Sequence, residues 1–556
     1  MVLLLLFALA GATTASSPQT GATLILWNGK IWTGDPQRRF AEAVAIVNHR
    51  IVAVGTSDEI RRLAVPNTEV IDLNKRLVTP GFIDNHVHFV SGGFQLASVQ
   101  LRDAATPGEF ARRIAEYAKT VPKGSWITGG DWDHELWNPV QLPSRDLIDK
   151  IAPDHPVFVS RLDGHMALAN SMALRMAGIT RDTADPAGGT IVRDGQGEPT
   201  GVLKDNAMDP VSLLIPSPSP EQRLRAARAA LREAARLGVT SFCDMSSGDA
   251  AFDDLRAYQH LDREGTLSSR VYLFVPLRSW KRLSDAGVER AFGGDYLRIG
   301  GLKGFADGSL GSSTAWFFEP FVDQPDHSGL RMPSLGNGEM KSWVDGAVAR
   351  ELHVAIHAIG DRANDGILSI FESQPDVSQR RFRIEHAQHL NPALIKRFAK
   401  SRVIASMQPY HAIDDGRWAE KKIGKKRAAG TYAFRSLIDA GALLTFGSDW
   451  SVAPLDPLTG IYAAVTRRTI DGKNPKGWIP EQKITVEEAL RSYTVNNAYA
   501  MFREKDVGTI AAGMLADLVI LSDDLFSIPS ENIESVKVDM TIVGGRITHR
   551  RHSAAD

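Results

Sequence analysis

Two kinds of hydrophobic pattern divide this chain. Near the start, residues 23–27 (TLILW) and 43–47 (AVAIV) are short apolar runs rich in β-branched residues, with Asn28-Gly29 as a turn signal between them. The same pattern returns near the end in Leu518-Val519-Ile520-Leu521 and Met540-Thr541-Ile542-Val543, followed by Gly544-Gly545-Arg546. Neither end is large enough to bury a core alone. Together they predict one small β-sandwich assembled from residues 18–80 and 505–556, with the long middle of the chain inserted into it.

The middle alternates apolar runs with stretches of helical period. Eight runs read as strands: 77–88, 239–244, 271–275, 297–303, 353–357, 382–386, 403–407 and 443–449. The clearest helix starts at Ser219-Pro220-Glu221, an N-cap serine followed by proline at the first helical position, and stops at Leu237-Gly238. Thr485 and Glu488 form a capping box that opens another helix. Eight strands joined by helical crossovers predict an α/β chain folded as a closed (β/α)8 TIM-like barrel over residues 81–504. The gap between the first and second strands exceeds one crossover, so residues 95 to about 218 are expected to form an insertion over the barrel mouth. Its Trp126, Trp132 and Trp137 argue against a disordered linker. Tryptophans in such a segment more often pack than cage a substrate. No solenoid-period repeat is visible.

Composition narrows the partners. The 556 residues include 64 basic and 65 acidic side chains, a net charge of −1, which offers nothing to attract a nucleic acid or an anionic membrane. Cys243 is the only cysteine, so intrachain disulfides and cysteine metal clusters are excluded. It reads as a core residue of the second strand. Residues 1–17 read as a signal peptide: an apolar run too short to span a bilayer, then small residues with a cleavage site after Ala15, although a basic leader is missing. Export is expected, with a cytoplasmic location as the alternative. No cysteine near that site supports a lipid anchor, so no stable membrane attachment is expected.

The strand ends carry the chemistry. In a parallel barrel the active site lies at the C-terminal ends of the strands. Those ends present His86 and His88 on the first strand, Lys303 on the fourth, His357 on the fifth, His386 on the sixth and Asp449 on the eighth. Residues i and i+2 of a strand share a face, so His86 and His88 are expected side by side, as a divalent metal requires. His353 and His389 are offset from these positions and read as structural. Asp307, Asp361 and Trp450 follow ligand positions and read as supporting or capping groups.

The strings PGFIDNHVH, LKGFADGSLGS, HAIGD, RIEHAQH and FGSDWSVAP, with ADLVIL and IVGGRI near the end, resemble the amidohydrolase superfamily. They are most similar to its amidohydrolase 3 family, the YtcJ-like group that includes N-substituted formamide deformylases. The resemblance covers nearly all of residues 22–550. It implies a site for one or two Zn²⁺, or another divalent metal, on His86, His88, Lys303, His357, His386 and Asp449. Lys303 takes the position at which related binuclear enzymes carry an N6-carboxylated lysine. The expected reaction is hydrolysis of a small-molecule C–N amide bond (N-acyl, N-formyl or amino-acid-linked) by an activated water, with Asp449 as proton carrier. His165 and His411 are candidates for stabilising the oxyanion or gripping the substrate. Alternatives are ester, lactone or phosphotriester hydrolysis on the same site, or a non-catalytic binding protein on a degenerate barrel. The exposed insertion offers a surface for homo-oligomer formation.

Overall fold

The computed structural model describes residues 21–551, except 163–165, 187–188, 247 and 249. The expected signal segment and His165 lie outside the described residues. Eight parallel strands form the central sheet: β1 (Phe82–Val87), β2 (Val239–Asp244), β3 (Arg270–Pro276), β4 (Leu297–Phe305), β5 (His353–Ala358), β6 (Arg383–His386), β7 (Ile404–Met407) and β8 (Leu444–Phe446). Each strand pairs with the next in sequence order, which is the barrel order predicted above. The seam between β8 and β1 closes at the mouth. There the Asp449 N–H donates to His86 O at 2.7 Å and the His88 N–H to Trp450 O at 2.5 Å. Deeper in the seam, the Asn497 amide donates to the carbonyls of both Ile83 and Phe446. Gly447 permits the close approach: a Cβ there would lie 2.5 Å from His86 N.

Residues 77–88 are not one strand. Leu77–Pro80 joins a terminal sheet, and β1 starts at Phe82. The apolar period runs unbroken through the junction and hides it. Gly81 is the hinge, packed so tightly that a Cβ would sit 2.1 Å from Thr240 Oγ1 and 2.7 Å from its Cβ. Gly81→Ala is expected to cost about 1–3 kcal/mol by overpacking, read as a lower urea midpoint at unchanged slope.

Strands from both ends of the chain meet around a second core. One sheet holds Leu24–Trp27, Ala43–Val47, Arg50–Gly55 and Glu69–Asp72. The other holds Lys30–Trp32, Phe40–Ala41, Leu77–Pro80, Leu518–Leu521, Val538–Val543 and Arg546–Arg550. Leu24, Leu26, Val44 and Ile46 pack against Val78, Leu518, Ile520 and Ile542 between them. The buried pair Arg270–Asp517, with contacts of 2.7 and 2.8 Å, ties the start of β3 to this core. The helix Pro220–Arg236 begins with the expected cap, here a full box between Ser219 and Gln222. It turns an alanine-rich face onto the helix Phe89–Ala97, where Gly93 lets the backbones touch.

Between β1 and β2 the chain forms its own six-stranded mixed sheet, from Val99–Gln100 to Pro199–Asp205. Trp132 and Trp137 are fully buried there, edge-on to Phe110. They form the core of the insertion and do not line the mouth. The insertion is fastened to the rim by hydrogen bonds from Gln95 to Ser451 O and from Arg102 to Val452 O, both 3.0 Å.

His353, at the start of β5, faces away from the mouth. It bonds Arg381 O at 2.8 Å and stacks on Tyr272. Burial, aided by the Arg383 charge, pushes its pKa down from 6.5 to about 3. The unfolded chain therefore binds this proton near pH 6.5 and the native chain only near 3. Between those values the unfolded state holds more protons, so stability falls as pH falls, by about 2 kcal/mol at pH 5. His353→Phe is expected to flatten that part of the stability–pH profile in urea titrations; an unchanged slope contradicts the assignment.

Candidate metal centre

At the mouth, six side chains from five strand ends converge. Among the described residues, His86, His386 and Asp449 form a buried group whose ligand atoms all lie within 4.8 Å of one another. Asp449 Oδ1 is 3.4 Å from His86 Nε2 and 3.3 Å from His88 Nε2. Lys303 Nζ is 3.3 Å from His86 Nε2. The ring of His357 lies 4.5 Å from that of His386, centroid to centroid. His88 does not share the strand of His86. It stands one residue past β1, as N-cap of the helix Phe89–Ala97, because the chain turns there to bond with Trp450.

Three of the imidazoles have one nitrogen committed to the protein. His86 Nδ1 meets Glu385 Oε2 at 2.6 Å, His386 Nδ1 meets Gln408 Oε1 at 2.7 Å, and His357 Nε2 meets Gly308 O at 3.1 Å. A nitrogen that donates to a carboxylate or carbonyl carries the proton, so the lone pairs sit on His86 Nε2, His386 Nε2 and His357 Nδ1. Glu385 is held in turn by Arg383 Nε at 2.7 Å and Ser406 Oγ at 2.7 Å. Asp307 fixes the turn after β5 by accepting from the N–H groups of Trp316, Ile359 and Gly360.

The electrostatics favour ligand forms. Burial, with the Lys303 charge, pushes His86 down to about 4. Burial likewise holds His386 well below its ordinary value, so both rings are neutral at pH 7. Burial works against the Asp449 carboxylate, which is held well below the usual carboxylate range only by positive charge among His86, His88 and His386. Burial drives Lys303 down to about 8, against the pull of Glu385 and Asp449. Asp449 Oδ1 is buried with no aligned donor. A buried carboxylate oxygen facing imidazole lone pairs is unfavourable by itself and fits a cation between them. His386 and Asp449 also have positive φ, 71° and 61°, a strained conformation for residues with a Cβ that the surrounding structure must hold.

His411, on the helix Pro409–Asp415, stacks over His386. Its Nε2 is buried, lacks a hydrogen-bond partner, and lies 4.0 Å from Asp449 Oδ2. Glu385, Arg383 and Gln408 were not singled out from the sequence. The available signal was Arg383-x-Glu385, two charges on one face of an otherwise apolar strand.

The family model of the amidohydrolase family, amidohydrolase 3, matches residues 69–549. The chain belongs to this family. It is 40% identical over 537 residues to Protein LONG AFTER FAR-RED 3 of Arabidopsis thaliana, covering 94% of this chain and 91% of that protein. It is 28% identical over 556 residues to the N-substituted formamide deformylase of Arthrobacter pascens, covering 95% and 98%. The crystal structure of an uncharacterized metal-dependent hydrolase from Pyrococcus horikoshii OT3 superposes with a TM-score of 0.76 at 29% identity, over 91% of this chain and 99% of that one. Family membership makes the chain a hydrolase of the amidohydrolase superfamily, and the His86, His386 and Asp449 cluster is its candidate metal site.

Proposed function

We propose that the protein hydrolyses a C–N amide bond of a small molecule at a divalent metal centre. The observation that carries this reading is Asp449 Oδ1, buried without an aligned donor among the imidazoles of His86, His88 and His386. The name of the Arthrobacter relative supports an amide substrate.

His86 and His386 through Nε2, His357 through Nδ1, His88 and Asp449 would hold the cation or cations, and this nitrogen–oxygen donor set suits Zn²⁺. Lys303 joins them as a carbamate: its neutral amine attacks CO₂, forms the N–C bond and releases a proton, giving an anionic oxygen ligand. The low pKa of Lys303 supports this, since it leaves part of the amine unprotonated near pH 7. When bound, such a cation supplies Lewis acidity, lowering the pKa of water from 15.7 to about 7 and polarising a carbonyl. Asp449 accepts the proton of the attacking water and passes it to the departing nitrogen. His411, in its Nε2–H tautomer, donates to the oxygen that gains charge in the tetrahedral state. Glu385 holds the proton on His86 Nδ1 and so keeps Nε2 free.

Two measurements test the reading together. Elemental analysis of the gently purified protein is expected to find at least one bound transition metal per chain. A panel of N-formyl and N-acyl amines and N-acyl amino acids is expected to be turned over faster than matched esters and lactones, with activity lost to a chelator and restored by Zn²⁺. Faster turnover of the esters or lactones would reject the amide assignment; absence of metal and of all turnover would reject the enzyme. A milder change, Glu385→Gln, is expected to weaken metal affinity by about 10–100-fold in chelator competition, because the amide holds the His86 ring less firmly.

A further inference from the structure

A cavity of about 520 Å³ lies outside the mouth, between the barrel's outer helices and the terminal sheet. It is bounded by the end of the helix Pro220–Arg236, the segment from Trp450 to Asp456, the start of the helix Pro457–Thr466, and the strands Val538–Val543 and Arg546–Arg550. None of the six mouth residues lines it. Its size falls in the range of small-molecule sites, and such sites favour junctions between structural layers of this kind.

Leu237, Trp450, Leu455, Leu458 and Val538 give it an apolar floor, and charged side chains and His549 share the lining. The charged groups around them are nearly all committed. Arg236 makes two hydrogen bonds to Glu233, at 2.8 and 2.6 Å. Arg551 makes two to Asp539, at 2.8 and 2.6 Å. Asp456 caps the helix Pro457–Thr466 through Leu458 N and Thr459 Oγ1. Lys537 differs: among the described residues its ammonium makes no direct hydrogen bond or ion pair, and its charge acts only at longer range, on Asp456 across the rim. An apolar floor with a directly unpaired ammonium at its rim suits a ligand of matching form: a hydrophobic body ending in one negative charge.

We infer that this cavity is a ligand site, taking a small organic monoanion whose charge meets Lys537 and whose apolar or aromatic body packs on Trp450, Leu455, Leu458 and Val538. The occupant lies against the residue next to Asp449. Trp450 bonds Ser448 Oγ through its N–H and receives the His88 N–H on its carbonyl, so one lining residue of the cavity is also bonded to the rim of the mouth. The inference stands on the cavity alone and does not depend on the amide reading.

Titration calorimetry of the full-length protein with 2-naphthoate tests it. One saturable site per chain is expected. Lys537→Glu, at an exposed position, is expected to weaken binding by about tenfold or more through loss of a charge-assisted contact, with unchanged basal turnover. The neutral analogue 2-naphthylmethanol is expected to bind both proteins weakly and alike. Asp449→Asn separates this site from the mouth: binding is expected to persist in it. No saturable binding at millimolar 2-naphthoate, equal affinity in Lys537→Glu, or loss of binding in Asp449→Asn would each overturn the inference.

Discussion

Asp449→Asn is expected to lower kcat/KM on the preferred amide by about 10³-fold or more while leaving the thermal midpoint within a few degrees of wild type. The side chain keeps its size, so packing at the rim is preserved. Two things change. Asparagine cannot take a proton from water, which removes a step worth about 10²–10⁴ in rate. It also replaces one carboxylate oxygen by an NH₂ group, placing donors where His86 and His88 turn ring nitrogens 3.4 and 3.3 Å from Asp449 Oδ1. Metal content measured on the same sample separates the two effects: retained metal with lost turnover assigns the loss to proton transfer. A variant keeping more than about a tenth of wild-type kcat/KM would remove Asp449 from the chemistry.

The second large effect is on stability. Arg383 is fully buried, and its guanidinium serves Glu385, Asn85 O and Ser406 Oγ at once. Arg383→Met is expected to cost about 3–5 kcal/mol in urea unfolding, because it leaves the Glu385 carboxylate buried without its counter-charge. The double variant Arg383→Met/Glu385→Met removes both charges and is expected to regain most of that loss. Metal affinity should stay impaired in the double variant, since the His86 ring has lost the acceptor on Nδ1. Equal stability of the single and double variants would mean that the pair is not coupled as drawn.

Much of this arrangement was legible along the chain because a parallel barrel repeats one rule. Apolar strands point their C-terminal ends at one mouth, so polar residues there stand out against the runs before them. His86, Lys303, His357, His386 and Asp449 stand out that way; the structure groups His86, His386 and Asp449, with Lys303 beside His86 and His357 beside His386. His411 stood out only as a histidine after the seventh strand; its unpartnered Nε2 needs coordinates to be seen. Glu385 and Gln408 were missed because their partners are distant in sequence, and no local period links Glu385 to His86. The junction at Gly81 was missed for the opposite reason. Its neighbours are apolar on both sides, and hydrophobic periodicity does not register a strand that changes sheets. The tryptophans of the insertion speak for a separate small core, where aromatic mass replaces the barrel's aliphatic layers.

The seam has a consequence for how the protein matures. The first and last barrel strands are joined by the backbone of His86, His88, Asp449 and Trp450, so the residues that zip the cylinder shut include two of the candidate metal cluster. The candidate cluster of His86, His386 and Asp449 is therefore complete only once the eighth strand has been made, so the last seam of the cylinder and the candidate metal site form together.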